Sequence, residues 1–346
     1  LGVGAGFEPG FTARADSLER ADKNRFAWLP TSNGKAALPE KRANHQLLKT
    51  LYFSLPMNAP NPQTGASKRT ELLQGVRHIV AVASGKGGVG KSTATANLAV
   101  ALAETGAKVG VLDADIYGPS MSLMFGVIEA PVINENKKLV PVTVRGIKVV
   151  SMAMFDDGEK PVVWRGPMVA QMIQNFTHNV VWGELDYLLV DMPPGTGDVQ
   201  LTLTQSAPLS GAVILTTPQE VSALDAKKGL QMFRKVNVPV LGVVENMSYF
   251  ICDGCSKKHY IFRQGGGQRI AESLGAPFLG EIPLEPEVAE GGDAGTPIVE
   301  RRPDSPAAKA YKAVAASIVS ALGVLTASQA GLLGEYSLKW EEIPEA

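Results

Sequence analysis

From Val76 onward the chain alternates short, unbroken apolar runs with longer stretches in which apolar and polar residues recur at helical spacing. The unbroken runs are Ile79–Ala83, Val109–Leu112, Tyr187–Val190, Val213–Thr216, Val240–Val244 and Phe278–Gly280. Their length and β-branched content predict buried strands. Helices are predicted at Ser92–Glu104, Met168–Asn179, Ser222–Lys235, Gln268–Leu274 and Ala307–Leu322. Strands without a polar face, separated by helices, predict an α/β fold with a mainly parallel sheet covered on both faces. One stretch departs from the pattern. Val132–Asn136, Leu139–Val144 and Ile147–Val150 follow one another closely and predict a β-hairpin insertion.

The ends of the chain lack this pattern. Residues 1–70 show scattered prolines and no sustained period, and are expected to form a flexible extension, with a short helix around Lys41–Phe53. Residues 76–323 form the expected domain. Residues 324–346 read as a loosely attached tail, with Trp340 as an anchor.

Composition narrows the function. The 346 residues carry 33 Lys+Arg against 34 Asp+Glu, a net charge of −1, so no nucleic-acid partner is expected on electrostatic grounds. No apolar run reaches the length of a membrane span. Ala313–Ala327 comes nearest and is interrupted by serines. Two cysteines imply no disulfide framework. The first residues lack a signal pattern, and Glu8, Asp16, Glu19 and Asp22 argue against a transit peptide, so a cytoplasmic protein is expected.

The densest chemistry lies in ASGKGGVGKSTATANL, residues 83–98. Its glycines let backbone amides turn inward and form an anion-binding nest. A strand before it and a helix after it make a phosphate site rather than a plain flexible turn. Gly85, Gly90, Lys91 and Ser92 fit the spacing G-x-x-x-x-G-K-[ST]. Lys91 then reaches the terminal phosphates of ATP and the Ser92 hydroxyl reaches Mg²⁺. The binding set is Gly85, Lys86, Gly87, Gly88, Val89, Gly90, Lys91, Ser92 and Thr93. An ordinary phosphate loop does not need Lys86. With it, KGGVGKS resembles the deviant Walker A motif of the MinD-like class of dimeric P-loop ATPases. That resemblance implies a homodimer in which Lys86 crosses to the partner's nucleotide. The logic is that of an arginine finger.

Acids at strand ends complete the site. Asp113 and Asp115 follow the second strand and Asp191 ends a later one. In open α/β sheets this edge faces the ligand. Asp191 is the expected Walker B residue, holding Mg²⁺ directly or through water. Asp115 is expected to orient the attacking water, and Asp113 to be structural. Pro193–Asp198 is a candidate switch beside the γ-phosphate.

The cysteines stand in VVENMSYFICDGCSKKHYIF, as Cys252 and Cys255. The flanking residues do not suit a helix-opening redox pair. A structural zinc site needs four ligands, and only His259 is near in sequence. Two subunits would supply four thiolates, which suit an iron–sulfur cluster or zinc.

Several segments in the same order are similar to the Mrp/ApbC family of P-loop ATPases, the iron–sulfur cluster carriers. They are GKGGVGKST at 85–93, LDADIYGPS at 112–120, VVWRGPMV at 162–169, DYLLVDMPPGTGDVQL at 186–201, TTPQEV at 216–221 and VENMSYFIC–C at 244–255. The resemblance implies a dimeric ATPase that carries a labile [4Fe–4S] cluster between subunits and delivers it to apo-proteins. It also implies that Asn246 contacts the adenine. Residues 1–70 do not resemble the N-terminal domain of many bacterial members, and the tail after Gly323 has no counterpart. Arg263 stands where the family has a glycine after the YIF segment. A mitochondrial relative also lacks the N-terminal domain, which makes the mitochondrial matrix the alternative location. A MinD/ParA-like positioning ATPase without a cluster is the rival reading, but the acidic, proline-containing C-terminus suits an anionic membrane poorly. In a reductase like the nitrogenase iron protein the cluster cysteines come from two separated segments, unlike this single C-x-x-C.

Overall fold

The computed structural model describes residues 73, 75–116, 118–127, 129–155, 172, 175–176 and 179–335. The extension expected at 1–70, most of the helix expected at Met168–Asn179, the segment 162–169 and Trp340 lie outside the described residues.

The chain forms β1 (Val76–Ser84), α1 (Lys91–Ala103), β2 (Val109–Asp113) and a single-turn α2 (Met121–Met124). There follow β3 (Val132–Ile133), β4 (Leu139–Val140), β5 (Val142–Val144), β6 (Ile147–Ser151) and β7 (Leu185–Asp191). Next come α3 (Asp198–Ser206), β8 (Gly211–Thr216), α4 (Glu220–Lys235) and β9 (Val240–Glu245). The remainder is β10 (Phe250–Ile251), β11 (Lys258–His259), α5 (Gly266–Ser273), β12 (Phe278–Glu281), α6 (Pro286–Asp293), α7 (Ile298–Arg301) and α8 (Pro306–Glu335).

Eight strands make one sheet in the order β12-β9-β8-β1-β7-β2-β6-β5. Every pairing is parallel except β5 with β6. The central strands are apolar on both faces and β2 and β8 are buried along their whole length, so the sheet is covered on both sides. α5 and α8 both pack on β9 and β12 and belong to separate helical groups, α4 with α5 and α1 with α7 and α8. α1 itself is buried nearly all round, from Ala94 to Leu102, which accounts for its uniform Ala, Val and Leu content. Gly106, at φ 88, closes its C-terminal end.

The hairpin expected as an insertion is part of the sheet. β5 and β6 are joined at Arg145-Gly146, both with positive φ, which matches the right-handed twist of the strands. β6 then pairs in parallel with β2, so the hairpin forms one edge of the main sheet. Of this stretch, β3 and β4 stay outside the main sheet as a separate antiparallel pair, and β10 with β11 makes a second such pair further along the chain.

α8 departs from expectation in two ways. It runs past Gly323 to Glu335, so the first part of the expected tail is helical. Its segment Pro306–Ser328 is also long and apolar enough, by length and composition, to cross a membrane, which corrects the expectation that no segment is. Of the serines that interrupt the apolar run, Ser320 is exposed and Ser317 half-buried. Ala307, Ala308, Tyr311, Val314, Ala315, Ile318 and Leu322 form a buried stripe at helical spacing. That is the pattern of a helix covering a core, and each large side chain in it contributes about 1.5–3 kcal/mol.

Parallel pairing places the strand ends in register along one edge. Asp113 lies opposite Asp191 and Ser151, and Glu245 lies opposite Thr216 and Glu281. The nucleotide loop rises from this edge, where β1 ends at Ser84.

Candidate nucleotide and metal sites

The loop between β1 and α1 borders an open cleft of about 230 Å³. Lys86, Gly87, Gly88 and Gly90 line it from the loop, and Lys91, Ser92 and Thr93 from the first turn of α1. Asp115 and Pro194 close it from the ends of β2 and β7. Ser84, Ser120 and Met124 also line it, and none of the three was expected from the sequence. Gly88 and Gly90 have φ 79 and 81, which requires glycine. Val89 turns the other way and is buried in the core.

Lys91 is the centre of the charge network. Its ammonium is 2.9 Å from Asp191 and 3.6 Å from Asp115. Asp191, fully buried, also accepts from the Ser92 hydroxyl at 2.6 Å and from Thr95 at 2.9 Å. Burial raises the Asp191 carboxyl above the usual range, opposed by the Lys91 charge and by these hydrogen bonds. Thr95 escaped the sequence reading. Its position one turn beyond Lys91 puts it on the same helix face, and spacing along α1 was the available signal.

Asp113 does not face the cleft. It accepts from the Ser120 and Met121 amides at 2.9 and 3.0 Å and from the Ser151 hydroxyl at 2.8 Å. It therefore ties α2 and β6 to the end of β2, a structural role. Burial, then the facing Asp191, raises its carboxyl to about 7.

Asn246 closes the loop from beneath. Its side-chain amide donates to the Val89 carbonyl at 2.8 Å. A Cβ on Gly90 would come within 2.4 Å of that nitrogen. Gly85 is also at a close approach, since a Cβ there would meet the Asp225 carbonyl carbon of α4 at 2.1 Å.

The cysteines sit apart from the cleft, on the β10–β11 hairpin. The Cys252 amide donates to the Lys257 carbonyl and the Ser256 amide to the Cys252 carbonyl, which sets a tight turn. Cys252, Cys255 and His259 have their ligand atoms within 4.8 Å of one another. The Cys255 backbone amide, then that of Gly254, then the Cys255 side chain hold the Cys252 thiol below the ordinary range. His259 was noted in the sequence as a neighbour but not placed in the site. Strand pairing brings it there.

Comparison with known proteins agrees with this geometry. Residues 75–319 match the ParA family described as "NUBPL iron-transfer P-loop NTPase". This chain belongs to that family. An iron–sulfur cluster carrier protein from Pseudomonas fragi is 53% identical to this NUBPL-type chain over 245 residues, covering 70% of it and 85% of the relative. An Arabidopsis thaliana protein named as a mitochondrial iron–sulfur protein required for NADH dehydrogenase is 49% identical over 261 residues, covering 75% and 83%. A nucleotide-binding protein from Archaeoglobus fulgidus, solved with ADP and with cobalt found in it, superposes with a TM-score of 0.59. It is 42% identical and covers 65% of this chain and 89% of that one. The mainly parallel α/β fold is thus that of the NUBPL-type P-loop NTPases.

The backbone at Arg263 has a measurable cost. Arg263 adopts φ 90, a conformation suited to glycine. Its guanidinium pairs with Glu220, but both side chains are well exposed, so the pair returns little. Arg263→Gly is expected to raise stability by roughly 0.5–1 kcal/mol after the added freedom of the unfolded chain is deducted. Urea unfolding with an unchanged m-value measures it, and a fall in stability would refute the strain.

Proposed function

We propose that this chain is an ATP-hydrolysing iron–sulfur cluster carrier that works as a homodimer. The observation that carries the reading is a thiol pair on an exposed hairpin directly following the strand whose end braces the phosphate loop. The names of its relatives support the same cargo.

In this reading ATP lies across the cleft, with its phosphates in the nest of residues 85–93 and its adenine near Asn246. Lys91 binds the β- and γ-phosphates. Ser92 and Asp191 are a hydroxyl and a carboxylate in contact, the hard oxygen pair that Mg²⁺ takes in P-loop sites, so they would hold it. When bound, the ion neutralises phosphate charge. Asp115 orients the water that attacks the γ-phosphorus, and the bond to the ADP oxygen breaks as the new P–O bond forms. Lys86 reaches the partner's nucleotide and stabilises the charge that develops there.

Four thiolates, Cys252 and Cys255 from each subunit, hold one [4Fe–4S] cluster as cargo. A cluster at an exposed interface is easily released to apo-proteins. Such a carrier works in the bacterial cytoplasm or in the mitochondrial matrix.

Anaerobic reconstitution with iron and sulfide tests the cargo. About four irons per dimer are expected, with visible cluster absorbance. Cys252→Ser is expected to lose both while still binding ATP. Iron bound equally by the variant would overturn the assignment.

A further inference from the structure

A cluster shared between subunits uses thiols alone, yet the hairpin offers a third donor. β10 and β11 pair Phe250 with His259 and Ile251 with Lys258. Residues paired across strands point to the same face, as do residues two apart on one strand. Cys252 therefore shares a face with Phe250 and His259. Lys258 points the other way, with its ammonium 4.0 Å above the Tyr249 ring. The pleat thus gathers sulfur and imidazole on one side and sends the Lys258 ammonium to the other.

We propose that Cys252, Cys255 and His259 of a single chain hold one divalent, thiophilic cation of the Zn²⁺ class. Two thiolates and an imidazole are a ligand set for tetrahedral zinc. Sulfurs bound to one zinc lie ~3.8 Å apart, given Zn–S bonds of about 2.3 Å. The three ligand atoms already lie within 4.8 Å of one another, so side-chain rotation is enough to close the site. Cys255 and His259 are exposed and Cys252 half-buried, which opens the site to solvent and leaves the fourth position to water or an incoming thiol. Binding releases the two thiol protons and uses the neutral imidazole.

The inference shares two thiols with the cluster reading but needs only one chain. The ion and the cluster compete for those sulfurs. Exchange of one for the other breaks the ion's bonds to both sulfurs and to His259, releases the ion, and leaves the two thiolates to take the cluster together with those of a second subunit.

The test is titration of the reduced, full-length protein with Co²⁺ under anaerobic conditions. Visible d–d bands report tetrahedral geometry, and ultraviolet charge-transfer bands report thiolate ligation. One Co²⁺ per chain is expected, displaced by Zn²⁺. His259→Ala is expected to weaken binding by about 100-fold or more and to shift the d–d bands. Since His259 is exposed, the variant should keep the wild-type circular dichroism. Unchanged affinity and spectrum in His259→Ala, or one Co²⁺ per two chains, would overturn the proposal. Iron reconstitution of His259→Ala separates the two readings. A normal cluster with unchanged Co²⁺ binding defeats the single-ion site alone. Stoichiometric, His259-dependent Co²⁺ without any cluster in the wild type defeats the carrier reading alone.

Discussion

Replacing Lys86 by alanine is expected to lower ATP turnover by about a thousandfold and to leave the ATP dissociation constant within about threefold. The contrast with Lys91 is the reason. Lys91 is buried and tied to Asp191 at 2.9 Å, in position to hold this chain's own phosphates. Lys86 lines the open side of the cleft and is half-exposed. Among the described residues no acid pairs with it, while its carbonyl is pinned by the Ser84 hydroxyl at 2.9 Å. Its carbonyl is held, and in the proposed homodimer its charge would be free to reach the partner's nucleotide. A thousandfold corresponds to about 4 kcal/mol of transition-state stabilisation. Phosphate-release kinetics and calorimetric titration with ATP measure the two quantities. Unchanged turnover would remove Lys86 from the reaction. Equal losses in affinity and rate would make it an ordinary binding residue.

Gly85→Ala is expected to destabilise the fold by about 3 kcal/mol, the upper end for an overpacked site. The added methyl would fall 2.1 Å from the Asp225 carbonyl carbon and 2.6 Å from the Ala226 nitrogen, both backbone atoms of α4. Neither can rotate away as a side chain would, so the helix must shift. Gly87→Ala is the control, because a Cβ there meets nothing within 4 Å and its φ is ordinary. For a domain of this size the Gly85 variant should melt roughly 6–12 °C lower and the Gly87 variant within about 2 °C of the wild type. Equal melting of both would show that the α4 contact is not a constraint.

The central strands were legible because each is an unbroken apolar run, and burial on both faces is a property of the strand itself. The place of the β5–β6 hairpin was not. Its local pattern encodes the turn at Arg145-Gly146 but not the strand that β6 will join. The length of α8 was hidden by Gly323, which reads as a stop yet costs an exposed helix interior only about 1 kcal/mol. In the cleft, Gly90, Lys91 and Ser92 were legible because a phosphate loop is one contiguous segment. Thr95 and the partners of Asp113 emerge only when helix face and strand register are known. His259 follows the same rule, since it reaches the cysteines across a turn rather than along the chain.

Asn246 joins the phosphate loop to the hairpin that carries the cysteines. Its side chain grips the Val89 carbonyl, and Cys252 follows it only six residues later in the chain. The intervening backbone is clamped at Ser248 to Ile282 and at Tyr249 to Leu284. A movement of Val89 would therefore act on a short, braced segment that ends at the thiols. Coupling of this kind runs equally in both directions. A metal or cluster that stiffens the hairpin would change nucleotide affinity by the same factor by which nucleotide changes the grip on the metal, so a loaded carrier and an empty one would differ in their affinity for ATP.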